Sequence, residues 1–429
     1  MVVIGALALA LCLAVARIAT LADPSRHIGE LLAAYVVCAT AGIAGAALLW
    51  HRSDRRSIAV LVVAALVARA ILLPSAPFLS HDAYRYLWDG TLLAHGYNPL
   101  AVAPDSNALA TLHHSPLYAF IDWRTIPSLY PPAAYALFFI GALFSPASVI
   151  GEKLVMSLGD VLALGALVAT LRLRKLPLGR AAIYAWNPLV LLEFSQSGHV
   201  EAWTIAAIVA SAYFLDSGRT FASGAAMSLA VLTKLYPAVL APVAFARNRI
   251  ALVTAGTIVV AVYAVSFAIN PHTFGSLDAY VNEQRFNATL FALLGSKGAA
   301  AALLAGTAYA VVLRRRGVSL AAALFGIELV YLLVLPSVLP WYVAVIAAII
   351  PLMACPFDRT WRPVALGAIG WTVTAPLAYA APLVVAGGSP GDLLVRAVEY
   401  APIAVGVALV AKRSAETRLR ALRPYGARA

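Results

Sequence analysis

The residues best suited to chemistry stand together in SHDAYRYLWDGTLLAHGYNPLAVAPD, residues 80 to 105, where His81, Asp82, Arg85 and Asp89 share a polar stretch with Tyr84, Tyr86, Trp88 and Tyr97. A carboxylate in such a place can take the proton of an attacking hydroxyl, and a neighbouring cation can hold an anion. Asp82, Arg85 and Asp89 are three and four positions apart, so a helix would present them on one face. Asp82 and Asp89 then lie ~10 Å apart along that helix. That is too wide for the carboxylate pair of a retaining glycoside hydrolase and marginal for an inverting one. The alternative for the triplet is a solvated face with a local ion pair. Two features weigh against it. Asp82 stands just beyond the end of the apolar run 57 to 73, where an unpaired charge is expensive, and the same loop also carries Asp105, Asp122, His113 and His114.

Other candidates are spread along the chain. Lys234 interrupts the apolar run 221 to 245 beside Tyr236 and Pro237; it is either a phosphate-holding cation or a lysine snorkelling from a helix end. Arg285 in NEQRFN offers a second cation, and His199 and Glu201 in SGHVE are either substrate contacts or a helix-capping cluster. Trp341 and Tyr342, behind Pro340, can stack on a sugar ring, although aromatic rings also belt the interface of any polytopic protein. No His, Cys and carboxylate set has metal-ligand spacing, so no metal and no cofactor is expected.

The elements that must position these residues are apolar. Of 429 residues 62% are hydrophobic and 12% charged, which makes the chain an all-α, polytopic integral membrane protein. The spacing predicts spans near 2–21, 28–50, 57–73, 153–171, 200–215, 250–269, 290–313, 318–335, 341–354, 364–385 and 395–411. The first run lacks a basic segment ahead of it and reads as a retained helix rather than a signal peptide. The net charge of +12 is gathered in HRSDRR, RLRK with Arg180, ARNR, RRR, DRTWR and the C-terminal tail, between apolar runs. That pattern is a membrane orientation signal, not a nucleic-acid face. It puts these clusters and both termini in the cytoplasm, with the long loop 74–131 outside, which in a bacterial cell is the periplasmic side of the inner membrane. Cys12, Cys38 and Cys355 lie in or beside apolar runs and read as packing residues.

Three apolar runs fit a bilayer badly: 132–144 is short, 181–194 is short around Asn187-Pro188, and 221–245 is divided at Lys234. A full crossing at 132–144 would put RLRK outside, and 221–245 has to begin and end in the cytoplasm. One or two re-entrant or half-length helices are therefore expected, of the kind that border functional cavities. In the loop itself, Tyr84, Leu87, Trp88 and Leu92 at helical spacing predict an interfacial helix capped by Ser80 or Asp82.

Taken together, HDAYRYLWDG...GYNPLAVAPD, SLYPPAAYALF, AWNPLVLLEFSQSGHVEAW, LTKLYPAVLAP and VLPWYV resemble the bacterial GT-C fold glycosyltransferases that use polyprenyl-phosphate sugars, mannosyltransferases among them. The resemblance spans roughly 57–385. It implies about 11–14 membrane helices, a polyprenyl-phosphate-sugar donor drawn from the membrane lipid, a glycan or glycolipid acceptor, and inversion with Asp82 as general base. Mannose is the first expectation for the sugar. Arg85, Lys234, Arg285, His199, Glu201, Trp341, Tyr342, His81 and Asp89 are then the expected donor-phosphate and substrate contacts. The domain reading is a hairpin at 1–50 ahead of a catalytic membrane domain at 51–411, with a basic cytoplasmic tail at 412–429. Two competing readings are a lipid-linked sugar transporter or flippase, which shares the broken helices, and a non-catalytic partner in glycan assembly.

Overall fold

The computed structural model describes residues 1–21, 26–353, 361–379 and 390–422. Among these residues there is no strand; the one extended pairing is an isolated bridge between Phe286 and Ser337. Backbone groups in hydrocarbon must be satisfied inside their own segment, so the apolar runs have become helices. Cys355, the first three residues of GGSPGD and the end of the basic tail lie outside the described residues.

Helices α1 (Val2–Ala19) and α2 (Ile28–Leu49) form an antiparallel pair, and α3 (Arg55–Leu72) packs on α1. Asp54 sets the start of α3 by accepting the Ser57 amide at 3.0 Å. Among the described residues, six helices are long and apolar enough to cross a membrane. They are α1, α2, α6 (Ile150–Leu173), α12 (Arg249–Ile269), α14 (Leu290–Arg315) and the Gly391–Ala415 part of α18 (Pro390–Leu422). Shorter apolar helices fill in between them: α9 (Glu201–Asp216), α15 (Leu320–Val334), α16 (Pro340–Ile349) and α17 (Arg362–Thr374). Leu9, Val36, Val253, Val260, Leu293 and Leu304 stand exposed, the surface that such a composition turns to lipid.

The basic turns meet at one end of the bundle. The Gly179 amide donates to Arg52 O at 2.9 Å, and Arg174 pairs with Asp216 at 2.6 Å and reaches Leu352 O at 2.7 Å. Arg315 reaches Ala246 O at 3.3 Å. Across the bundle, Gln196 donates to Ala76 O at 2.7 Å and Lys153 to Leu72 O at 3.1 Å. Within the bundle a buried Arg69–Asp160 pair at 2.7 Å ties α3 to α6, and Arg69 also donates to Ala185 O at 2.9 Å.

The three ill-fitting runs resolve in different ways. Helix α5 (Pro132–Phe144), short for a bilayer, packs along α4 (Asp82–Ala94), and the start of α6 is tied to the C-terminal end of α3 through Lys153. The run 221–245 is a half-length pair, α10 (Thr220–Thr233) and α11 (Pro237–Ala244), whose feet meet where Asn248 donates to Thr220 Oγ1 at 3.3 Å. Lys234 sits at its apex. The run 181–194 passes from one end of the bundle to the other in pieces: α7 (Ala182–Ala185), α8 (Pro188–Val190) and a wide π-helical turn, Leu191–Gln196. It leads from Arg180, bonded to Met353 O at 2.8 Å, to Gln196 at the opposite end. Asn187 bridges the break: its Oδ1 accepts the Leu189 amide at 3.0 Å and its Nδ2 donates to Thr372 at 2.8 Å.

Helix α4 differs from the expected interfacial helix in two respects. Its N-cap is His81, with Ser80 Oγ accepting the Asp82 amide at 3.2 Å in a local turn. It is also enclosed rather than lying bare on the surface, because Tyr86, Leu87, Trp88 and Leu92 cover more than one of its faces and each finds a partner in α5 or in the folded loop. Gly90 allows the closest approach: a Cβ there would lie 2.2 Å from Phe138 O and 3.0 Å from Ala142 Cβ. Gly90→Ala should therefore cost ~1–3 kcal/mol of stability through overpacking, read as a lower unfolding temperature in detergent. An unchanged unfolding temperature would show that α4 and α5 do not pack this tightly.

Candidate functional site

Asp82 opens α4 and faces inward, where its carboxylate accepts from Tyr86 OH at 3.3 Å and lies 3.5 Å from His199 Nδ1. His199 is held in the turn between the wide π-helical segment and α9, and its other ring nitrogen is 3.2 Å from Glu193 Oε2. Trp341, at the start of α16, stacks on the imidazole with centroids 3.7 Å apart. Tyr379 donates to both Glu193 oxygens at 3.0 Å.

A second group adjoins the first. Lys234 Nζ is 2.6 Å from Glu201 Oε1 and lies over the rings of Tyr130 and Tyr342, 5.0 and 5.3 Å from their centroids. Tyr342 bonds Tyr280 at 2.9 Å, and Tyr130 donates to Tyr86 at 3.3 Å, which joins the Lys234 side to the Asp82 side. An ammonium between aromatic faces and a carboxylate keeps its charge despite burial.

Access divides these residues by role. The Asp82 side chain is 32% exposed and that of Lys234 16%, whereas His199 and Glu193 are fully enclosed. Burial works to raise the Asp82 pKa, but the bond and charge of His199, followed by Lys234 and Tyr86, bring it below the ordinary carboxylate value. Burial likewise works against His199 protonation, and there Asp82 and Glu193 outweigh it, raising its pKa to about 9. At neutral pH the site thus holds an ionised, solvent-reachable carboxylate beside an imidazolium.

Six of the residues singled out from sequence come together here: Asp82, His199, Glu201, Lys234, Trp341 and Tyr342. Four are placed elsewhere. Arg85 pairs with Asp89 at 3.0 Å and donates to Trp123 O and Ile126 O at 3.0 and 3.1 Å, so its guanidinium clamps the loop. Asp89 is fully buried and also accepts the Ser128 hydroxyl. Burial raises its pKa above the ordinary value against the opposing Arg85 and Ser128. His81 turns to Asp122 at 3.3 Å, and Arg285 bonds carbonyls at the end of the preceding helix α13 (Leu277–Glu283) and lies over Phe291.

Glu193, Tyr280 and Tyr379 were not among the sequence candidates. A carboxylate inside the apolar run 181–194 was a signal for Glu193, because an ionisable residue in such a run needs a partner. The two tyrosines had no such signal, since nothing local distinguishes them from interface aromatics.

The model of a family described as alpha-(1->6)-mannopyranosyltransferase, N-terminal domain, matches residues 1–249. No curated protein and no solved structure matches the chain. The matched part begins with α1, so it takes in the N-terminal hairpin, and it contains Asp82, Glu193, His199, Glu201 and Lys234. Trp341, Tyr342 and Tyr379 close the site from beyond it. With more than half of its length matched, the chain belongs to the alpha-(1->6)-mannopyranosyltransferase family and is a membrane mannosyltransferase.

Proposed function

We propose that the protein moves mannose from a polyprenyl-phosphate donor to a glycan or glycolipid hydroxyl, with inversion and with Asp82 as general base. The observation that carries this reading is the open Asp82 carboxylate held ionised by His199 with Lys234 close by. The acceptor oxygen attacks the anomeric carbon while Asp82 takes its proton. The bond from that carbon to the phosphate oxygen breaks, and its electron pair leaves with the lipid phosphate. A phosphate is a good leaving group, so the step needs no second acid. Lys234 is the cation placed to meet the charge that grows on it, and the exposed edge of Asp82 returns the proton to water.

The family's printed description names an α-(1→6) product. Inversion reaches an α product from a β-linked donor, and a primary C6 hydroxyl is the least hindered nucleophile on a mannose ring. The basic turns gathered at one end of the bundle support a cytoplasmic placement of that end and of both termini, with the site facing the periplasm. The proposed reaction draws its charge from Lys234 and His199 and calls for no metal or cofactor.

The test is transfer of radiolabelled sugar by the purified protein from synthetic β-polyprenyl-phosphate-mannose, and from its glucose and arabinose analogues, to membrane extracts. An α-linked mannosyl product formed from the mannose donor is the expected result. A β-linked product would exclude inversion. Lipid-linked mannose that crosses proteoliposomes without being transferred would replace the transferase reading with transport.

A further inference from the structure

The described residues contain one π-helical segment, Leu191–Gln196, and it carries Glu193 of the candidate site. Such wide turns add a residue to a helix, turn side chains out of their regular positions and recur at functional sites. Here the turn is closed by the Ser197 amide donating to Leu192 O at 2.8 Å and the His199 amide to Glu193 O at 2.9 Å. The result brings the Glu193 carboxylate to the far edge of the imidazole that faces Asp82. Neither side chain has any solvent exposure, and a fully buried carboxylate is tolerated only when paired.

We propose that Glu193 is a positioning residue that keeps His199 doubly protonated and aimed at Asp82, so that Asp82, and not His199, is the group free to accept the acceptor's proton. This rests on the transferase reading given above. The geometry supplies each part. Glu193 Oε2 lies 3.2 Å from Nε2, Asp82 Oδ2 lies 3.5 Å from Nδ1, and the Trp341 ring lies 20° from parallel against one imidazole face. Tyr379 fixes Glu193 through both carboxylate oxygens. A neutral imidazole can donate from one nitrogen only, so two flanking carboxylates select the cation. The charged groups facing this unit are Asp82 from α4, Glu201 from α9 and Lys234 from the apex between α10 and α11. Lys234 is engaged with Glu201, which leaves His199 as the cation paired directly with Asp82.

The experiment compares wild type with Glu193→Gln, each alone and combined with Asp82→Asn, in full-length protein in nanodiscs. It reads kcat, donor KM, the pH profile and the ¹⁵N imidazole signals of labelled histidine, with His199 assigned through His199→Gln. Expected for Glu193→Gln is a kcat loss of about tenfold with donor KM unchanged, and an acid limb moved up by about one pH unit, because Asp82 loses the charge that lowers its pKa. No further loss is expected in the Asp82→Asn background, and His199 should change from two protonated nitrogens to one. A His199 still doubly protonated in Glu193→Gln, an unmoved acid limb, or a loss that adds in full to that of Asp82→Asn overturns the proposal. Should Glu193→Gln fail to fold, Glu193→Asp decides. It keeps the charge but reaches one carbon less, so kcat should fall with the acid limb in place; an unchanged kcat overturns the proposal. The ¹⁵N signals decide the His199 question even if no mannose is transferred, which separates this inference from the proposed function.

Discussion

Asp82→Asn is expected to abolish mannose transfer by ~10²-fold or more while the protein stays folded and still binds its donor. The amide keeps the size of the carboxylate and can still accept from Tyr86, so packing around α4 changes little. What disappears is the ability to take a proton. The pH profile supplies an independent check. A carboxyl group whose pKa lies below the ordinary value is ionised, and competent as a base, at every pH above that lowered value. Wild-type activity should therefore hold on the acid side down through the usual carboxylate range. Transfer by Asp82→Asn at the wild-type rate would remove Asp82 from the reaction.

The second large effect is at Lys234. Lys234→Gln should cost ~10²–10³-fold in kcat if the ammonium meets the charge developing on the departing phosphate. It should also destabilise the protein by ~3–5 kcal/mol, because Glu201, 1% exposed, is left as an unpaired buried carboxylate. These two consequences can be separated. In Lys234→Gln with Glu201→Gln both charges are gone, so the unfolding temperature should recover while transfer does not. Recovery of both would mean that Lys234 only neutralises Glu201. Lys234→Arg is not a conservative control, since the ammonium sits between the Tyr130 and Tyr342 rings and a planar guanidinium needs a different slot.

Much of the candidate site was legible because charge is rare in this chain. In a chain of 12% charged residues, each ionisable group inside or beside an apolar run needs a reason, and Asp82, His199, Glu201 and Lys234 stand out on that basis. The half-length pair at 221–245 was legible for a related reason: basic residues at both of its ends favour one and the same side of a membrane. Arg85 and Asp89 illustrate the limit. Their helical spacing to Asp82 is real, yet helix geometry leaves open which side chains turn to substrate, and these two turn to Trp123, Ile126 and Ser128 in the folded loop.

The division follows from what each kind of information contains. Sequence by itself determined that this is a helical membrane protein, which of its ends is basic, where its helices break and which acids and bases are available, because hydrophobicity and charge act locally and one residue at a time. Tertiary structure alone decided that His199 lies between Asp82 and Glu193, that Trp341 covers it and that Tyr379 braces Glu193. Those contacts join residues up to 186 positions apart. No local pattern encodes them; they exist because a broken crossing, a wide turn and an enclosed loop helix meet at one end of the bundle.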